Sequence, residues 1–161
     1  MDLQRLYWTK NVKPLQGWAY CEFMPCDLFK LAWKNHEDNA NKPERNDLIL
    51  LRQHGYVTHL VKVLDHQAER EDGEDDFNLY RVAEVIWAIN STNPPTSARA
   101  NVILGYSAVL DYQGGKVMKL ERLRTFREAW DAQGGISAFQ KFVQSRLDDV
   151  KVHQLLSLSG Q

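Results

Sequence analysis

The stretch "NDLILLRQHGYVTHLVKVLD", residues 46–65, constrains the fold more than any other part of the chain. Two apolar runs, Leu48 to Gln53 and Tyr56 to Leu64, are separated only by His54-Gly55. A two-residue connection between antiparallel strands demands positive φ, which glycine adopts freely and histidine tolerates better than most residues. The segment is therefore predicted to be a β-hairpin. In its second arm Val57, His59, Val61 and Val63 alternate with Thr58, Leu60, Lys62 and Leu64. Both faces are largely apolar, so the hairpin needs cover on each side, as in a small barrel or a sheet layered with helices.

The flanking segments extend this picture. "LQRLYWT" (3–9) has strand composition, and "GWAYCEFM" (17–24) is a second aromatic-rich segment behind a loop start at Pro14 and Gly17. In "PCDLFKLAWKN" (25–35) Asp27 is a candidate N-cap and Leu28, Leu31 and Ala32 repeat at helical spacing, which predicts a short helix over 27–34. "HEDNANKPER" reads as a polar loop closed by Pro43. "FNLYRVAEVIWAIN" (77–90) predicts a strand with Leu79, Arg81, Ala83, Val85, Trp87 and Ile89 on one face, ended by Pro94-Pro95. The run "EREDGEDD" (69–76) before it reads as a flexible acidic loop. Val102 to Leu110 is read as a further strand, closed by Gly114-Gly115.

Beyond residue 115 the pattern becomes helical. Phe126, Ala129 and Trp130 share one face before a stop at Gly134, and Ile136, Phe139, Phe142, Val143 and Leu147 form one stripe of a second helix. The expected fold is one α+β domain over 1–161: a small mixed or antiparallel barrel over 1–115, a helical extension over 116–150 and a tail over 151–161. Hydrophobic residues make up 43% and charged residues 25%, as in ordinary soluble domains. No stretch approaches the roughly 18 apolar residues of a membrane helix, and "MDLQRLYWTK" lacks a signal-peptide pattern. The expected location is cytoplasmic, without a membrane partner.

The net charge of −1 hides an uneven distribution. Against the acidic run stands "KVMKLERLRTFR" (116–127), with two lysines and three arginines against one acid. A nearly neutral protein can thus present a basic face to a phosphate-bearing partner. Cys21 and Cys26 supply two thiols, too few for a zinc site, and are expected to be half-buried and unpaired. His36, His54, His59 and His66 show no metal-ligand spacing, although His54 and His59 fall in one hairpin. Asp47, just before a strand, is expected to accept a turn hydrogen bond. "GYSAV" lacks the closing glycine of a nucleophile elbow and "YQGGK" lacks phosphate-loop spacing. No cofactor, metal or catalytic residue is therefore assigned, and an enzyme acting on nucleotides is the least favoured reading.

The order of elements resembles the PUA-like superfamily, within it the EVE and YTH branch, over residues 5–110. The resemblance lies in Tyr7-Trp8 of the opening strand, in Trp33 with the loop "WKNHEDNANK", in "ERNDLILLRQHGYVTHLVKVLD", and in "YRVAEVIWAIN" with its proline-bearing exit. The chain departs from the family at Asn46, where a glycine usually precedes the aspartate, in its short turn, and in the helical extension 119–150. The resemblance implies recognition of DNA or RNA without chemistry, with a flipped or modified base held in an aromatic pocket. It implies base contacts from Trp33, Asn35 and Asn39. Arg52 and His54 at the hairpin, with Arg122, Arg124 and Arg127 beyond it, would form a phosphate-facing rim. Trp33 has a second reading as a core residue, while Trp87 is expected in the core and Trp130 between helices and barrel. The alternative function is a protein-interaction module whose pocket is filled by its own side chains.

Overall fold

The computed structural model describes residues 1–13, 17–71, 76–90 and 93–159, with side chains to Lys151. Seven strands form one mixed, curled sheet: β1 (Leu6–Asn11), β2 (Leu28–Trp33), β3 (Leu48–Gln53), β4 (Tyr56–Val63), β5 (Glu69–Arg70), β6 (Leu79–Ala88) and β7 (Val117–Lys119). Their order is β2-β6-β4-β3-β1-β7, with β5 paired to β6. Every pairing is antiparallel except β1 with β3. Among the described residues four α-helices accompany the sheet: α1 (Glu37–Ala40), α2 (Ala100–Leu104), α3 (Arg124–Trp130) and α4 (Gly135–Ser159).

The expected hairpin is β3 and β4. His54 and Gly55 have φ of 54° and 82°, the two positive values that a tight turn of matching twist requires. Every residue of β3 is buried. Leu48 and Leu50 enter one apolar cluster, with α2, α3 and α4, while Ile49 and Leu51 enter a second one inside the curl. The double-sided burial inferred from the sequence follows from this position between two cores. Along β6 all six predicted inward residues are buried; Leu79, Ala83 and Val85 join the inner cluster, Trp87 and Ile89 the helix-side cluster. Trp130 bridges α3 to Leu104, its indole donating to that carbonyl at 3.0 Å.

Segment 27–34 is β2, not a helix. The operative period is two: Phe29, Leu31 and Trp33 are buried while Leu28 is exposed. Asp27 caps nothing helical; its Oδ2 accepts from the Met24 amide in a turn, and its carbonyl accepts from Val85 in the ladder with β6. The 102–110 segment departs in the opposite sense, forming α2 and then a 3₁₀ turn at Ser107–Asp111. A short apolar run carries no periodicity that separates strand from helix, and Gly105 at φ 82° closes α2 in the left-handed conformation. The sheet also runs past residue 115 through β7, and α4 continues into the stretch read as a tail. Glu69 and Arg70 form β5; residues 72–75 of the acidic run, like 91 and 92 before Pro94, lie outside the described residues.

Polar side chains pin the curl. Asp47 accepts the Glu44 amide, as expected, and also the Trp8 indole at 2.9 Å and Arg5 at 2.7 Å. Asn46 before it has φ 74°, so the position that carries glycine in the resembling families keeps a left-handed backbone here. Arg81, fully buried, meets Asp65 at 2.6 Å and donates to the carbonyls of Ala40 and Pro43, fastening the α1 loop to β6.

The sheet's two outer strands, β2 and β7, are not paired with each other. Asn39 joins them. Its Oδ1 accepts the Trp33 indole at 2.9 Å and the Val117 amide at 2.8 Å, while its Nδ2 donates to the Val117 carbonyl at 2.9 Å. One side chain thus completes a β-bridge across the open seam. Asn39→Leu, which leaves three polar groups unpaired in a buried site, is expected to lower stability by about 3 kcal/mol. Urea unfolding checks this, with an unchanged midpoint as the contrary outcome.

Candidate functional site

The cavity that best suits a ligand opens beside β1 and β2, with a volume of about 740 Å³. Three aromatic side chains line it: Trp18, Tyr20 and Phe77. Each is held from behind. Trp18 packs edge-on against His54 with centroids 4.8 Å apart, and His54 in turn bonds the Gly17 carbonyl at 2.9 Å. Tyr20 lies 4.8 Å from the Phe29 ring, and its hydroxyl accepts the Ala32 amide at 3.0 Å. Burial raises the Tyr20 hydroxyl above its ordinary pKa, so it stays a neutral donor. Lys34 Nζ sits 5.5 Å from the Phe77 ring centre. Backing of this kind fixes the rings before any ligand arrives.

The cavity's charge is mostly positive. Among the described residues Lys10, Lys13, Lys34 and His36 line it, against the single carboxylate of Glu22. Lys10 is unusual among them because it lies within β1, one residue from its end, and is only 2% exposed. Its Nζ donates to the Gly115 carbonyl at 2.5 Å and lies 4.9 Å above the Trp33 ring. Desolvation, and secondarily the charge of Lys13, lowers the Lys10 amine to about 7.

The residues expected at the site divide into three groups. Trp33 and Asn39 do come together, but in each other's service. Trp33 is fully buried in the inner cluster, with its indole on Asn39 and Lys10 over its face, so it forms the layer beneath the cavity and offers no surface for stacking. Asn35 is exposed and accepts from Arg70 at 3.1 Å. Arg52 is not on a rim: it is 4% exposed, donating to Thr9 at 2.8 Å and lying 5.5 Å from the Tyr112 ring centre. Alternation along β3 places it on the helix side with Leu48 and Leu50. His54 supports Trp18 from the hairpin turn rather than facing phosphates.

Among the C-terminal arginines, Arg122 lines a second cavity of about 730 Å³ with Arg5, Lys42, Lys116 and Lys119. A third hollow of about 390 Å³ shares His36 with the aromatic cavity and Lys116 with the second. Arg124 pairs with Glu128 at 3.5 Å, and Arg127 donates to the Glu121 carbonyl. Cys21 and Cys26 are exposed rather than half-buried. His59 is buried, its ring nitrogens on Thr58 and the Tyr20 carbonyl, so it is a packing residue held apart from His54. Among the described residues no group of three His, Cys, Asp or Glu is placed to hold a metal, and no helix is long and apolar enough to cross a membrane.

Sequence reasoning missed Trp18, Tyr20, Phe77 and Lys10. The aromatic density of "GWAYCEFM" pointed to Trp18 and Tyr20 and the lysine in the largely apolar strand "LYWTK" to Lys10, while Phe77 carried no such signal.

The Lys10 environment has a measurable consequence. Its amine titrates lower in the folded chain, at about 7, than the ordinary lysine value of 10.5, so the unfolded chain binds more protons between those two values. Stability therefore rises with pH through this window, by at most about 1.4 kcal/mol per pH unit. Urea titrations from pH 6.5 to 9.5 are expected to show this rise in the natural chain and to lose it in Lys10→Met. No protein-family model, curated protein or solved structure matches the chain.

Proposed function

We propose that this chain is a PUA-like protein of the EVE and YTH kind that recognises single-stranded nucleic acid without chemistry, holding one base in the aromatic cavity. The observation that carries this reading is the combination of Trp18, Tyr20 and Phe77 with four basic side chains around one open volume. Every nucleobase has a π face, and stacking it on an aromatic side chain contributes about 1–3 kcal/mol. Lysines at the rim match a phosphate that follows the base out of the cavity. Arg122 and its basic neighbours in the second cavity extend that match. A protein-interaction module with a filled pocket is less well supported, because the cavity is open. The two exposed free thiols fit a reducing, cytoplasmic setting.

Fluorescence-anisotropy titration with short mixed-sequence single strands of DNA and RNA tests the reading. Trp18→Ala is expected to weaken binding at least tenfold while the protein still melts cooperatively. Affinity should fall with salt, log K dropping by about 0.7 per phosphate contact for each tenfold rise in salt. Trp33→Ala, by contrast, is expected to cost about 3–5 kcal/mol of stability, as a large buried ring does. Binding that is absent, or indifferent to both Trp18 and salt, would sink the proposal.

A further inference from the structure

Lys10 differs from the other basic residues of the aromatic cavity. Lys13, Lys34 and His36 are exposed, where water solvates them. Lys10 is buried at the floor, and a lysine carries three donors, of which the Gly115 carbonyl takes one. Among the described residues no carboxylate lies within salt-bridge distance of its Nζ. Glu22, the one acid lining this cavity among the described residues, is exposed. Arg81 shows how the same fold treats a buried cation in a closed site: a carboxylate at 2.6 Å and three carbonyl acceptors. Arg52 also lacks a carboxylate but is enclosed beneath the helices with Thr9 and the Val109 carbonyl as acceptors; Lys10 is the one of these two that borders an open volume. Burying a charge without a counter-charge is costly, and a ligand can supply what the chain omits.

We infer that the ligand of this cavity carries an anionic group next to its aromatic ring and delivers it to Lys10 Nζ at the floor. The inference rests on the base-binding reading of the same cavity and narrows the ligand's chemistry. The shared feature is a negative charge within reach of a stacked ring. Its source is either a carboxylate on the ring or the phosphate of the bound nucleotide. A neutral base bound ring-first leaves Lys10 without its counter-charge. The amine, lowered to about 7 by burial, is restored toward ordinary lysine behaviour by an anion, so binding above neutrality draws in a proton. Lys13, Lys34, His36, Tyr20 and Glu22 are the other titratable groups around the same volume.

Isothermal titration calorimetry of the full chain at pH 8 tests this with three probes: uridine, uridine 5′-monophosphate and orotidine, which carries a ring carboxylate. Each is titrated in two buffers of different ionisation enthalpy, so that proton uptake is read directly. The expected result is at least tenfold tighter binding of one anionic probe than of uridine, with net proton uptake. An advantage for orotidine assigns the ring carboxylate, and one for the monophosphate assigns the phosphate. Lys10→Met should bring the anionic probe down to the level of uridine and abolish proton uptake; Lys141→Gln, at an exposed lysine of α4 that does not line the cavity, should leave the uptake in place. Proton uptake by the natural chain stands as a test even if Lys10→Met folds poorly. Equal affinities without proton uptake, or an anionic advantage that survives in Lys10→Met, overturn the inference. If single strands still bind through Trp18 in that case, the base-binding reading stands; if neither strands nor probes bind, both readings fall.

Discussion

The three hydrogen bonds of Asn39 close a structure that its strands leave open. The curled sheet has two free edges, β2 and β7, and free edges carry unpaired backbone groups. Asn39 presents a carbonyl and an amide in one plane, which is the arrangement a neighbouring strand would present, and Val117 pairs with it at both positions. The same oxygen fixes the Trp33 indole. Trp33 thereby becomes a rigid layer, Lys10 lies on it, and the Gly115 carbonyl two residues before Val117 accepts a hydrogen bond from the lysine. The floor of the aromatic cavity is built outward from this one amide.

The buried cations of the molecule illustrate how location decides chemistry. Arg81 is neutralised by Asp65 and serves the fold. Arg52 lies beneath the helices beside a hydroxyl chain in which Tyr106 meets Tyr112 at 2.8 Å and Tyr112 meets Thr125 at 2.6 Å. Burial lowers Arg52 to about 10, still charged at neutral pH, and its Nη2 has no hydrogen-bond partner. Lys10 is desolvated to about 7 and borders a cavity. Guanidinium and ammonium respond differently to the same burial because guanidinium starts from a much higher affinity for its proton.

Several elements were legible in the residues alone. His54-Gly55 dictated a tight turn, and the apolar runs around it dictated strands covered on both faces, because turn stereochemistry and a period of two are local properties. The alternation along β6 and the stripe of α4 were legible for the same reason. "LFKLAW" was not, since Leu28, Leu31 and Ala32 fit a helix while Phe29, Leu31 and Trp33 fit a strand. Pairing with β6 over six residues decides it, and that partner lies some fifty positions away in the chain. Val102 to Leu110 was misread because helix and buried strand look alike in short apolar runs.

The amino-acid order by itself determined an α+β fold built on a central hairpin, and the resemblance read from it singled out Trp33, Asn35 and Asn39 as base contacts. Only the tertiary structure decided what these residues do. Tryptophan serves core and pocket equally well, and the outcome depends on which side of the sheet's curl its strand faces. The cavity gathers Lys10, Trp18, Tyr20 and Phe77 from β1, the turns after it and the approach to β6. Its position follows from strand order and curvature, which are set by long-range pairing and by the closure at Asn39, and no local spacing encodes them.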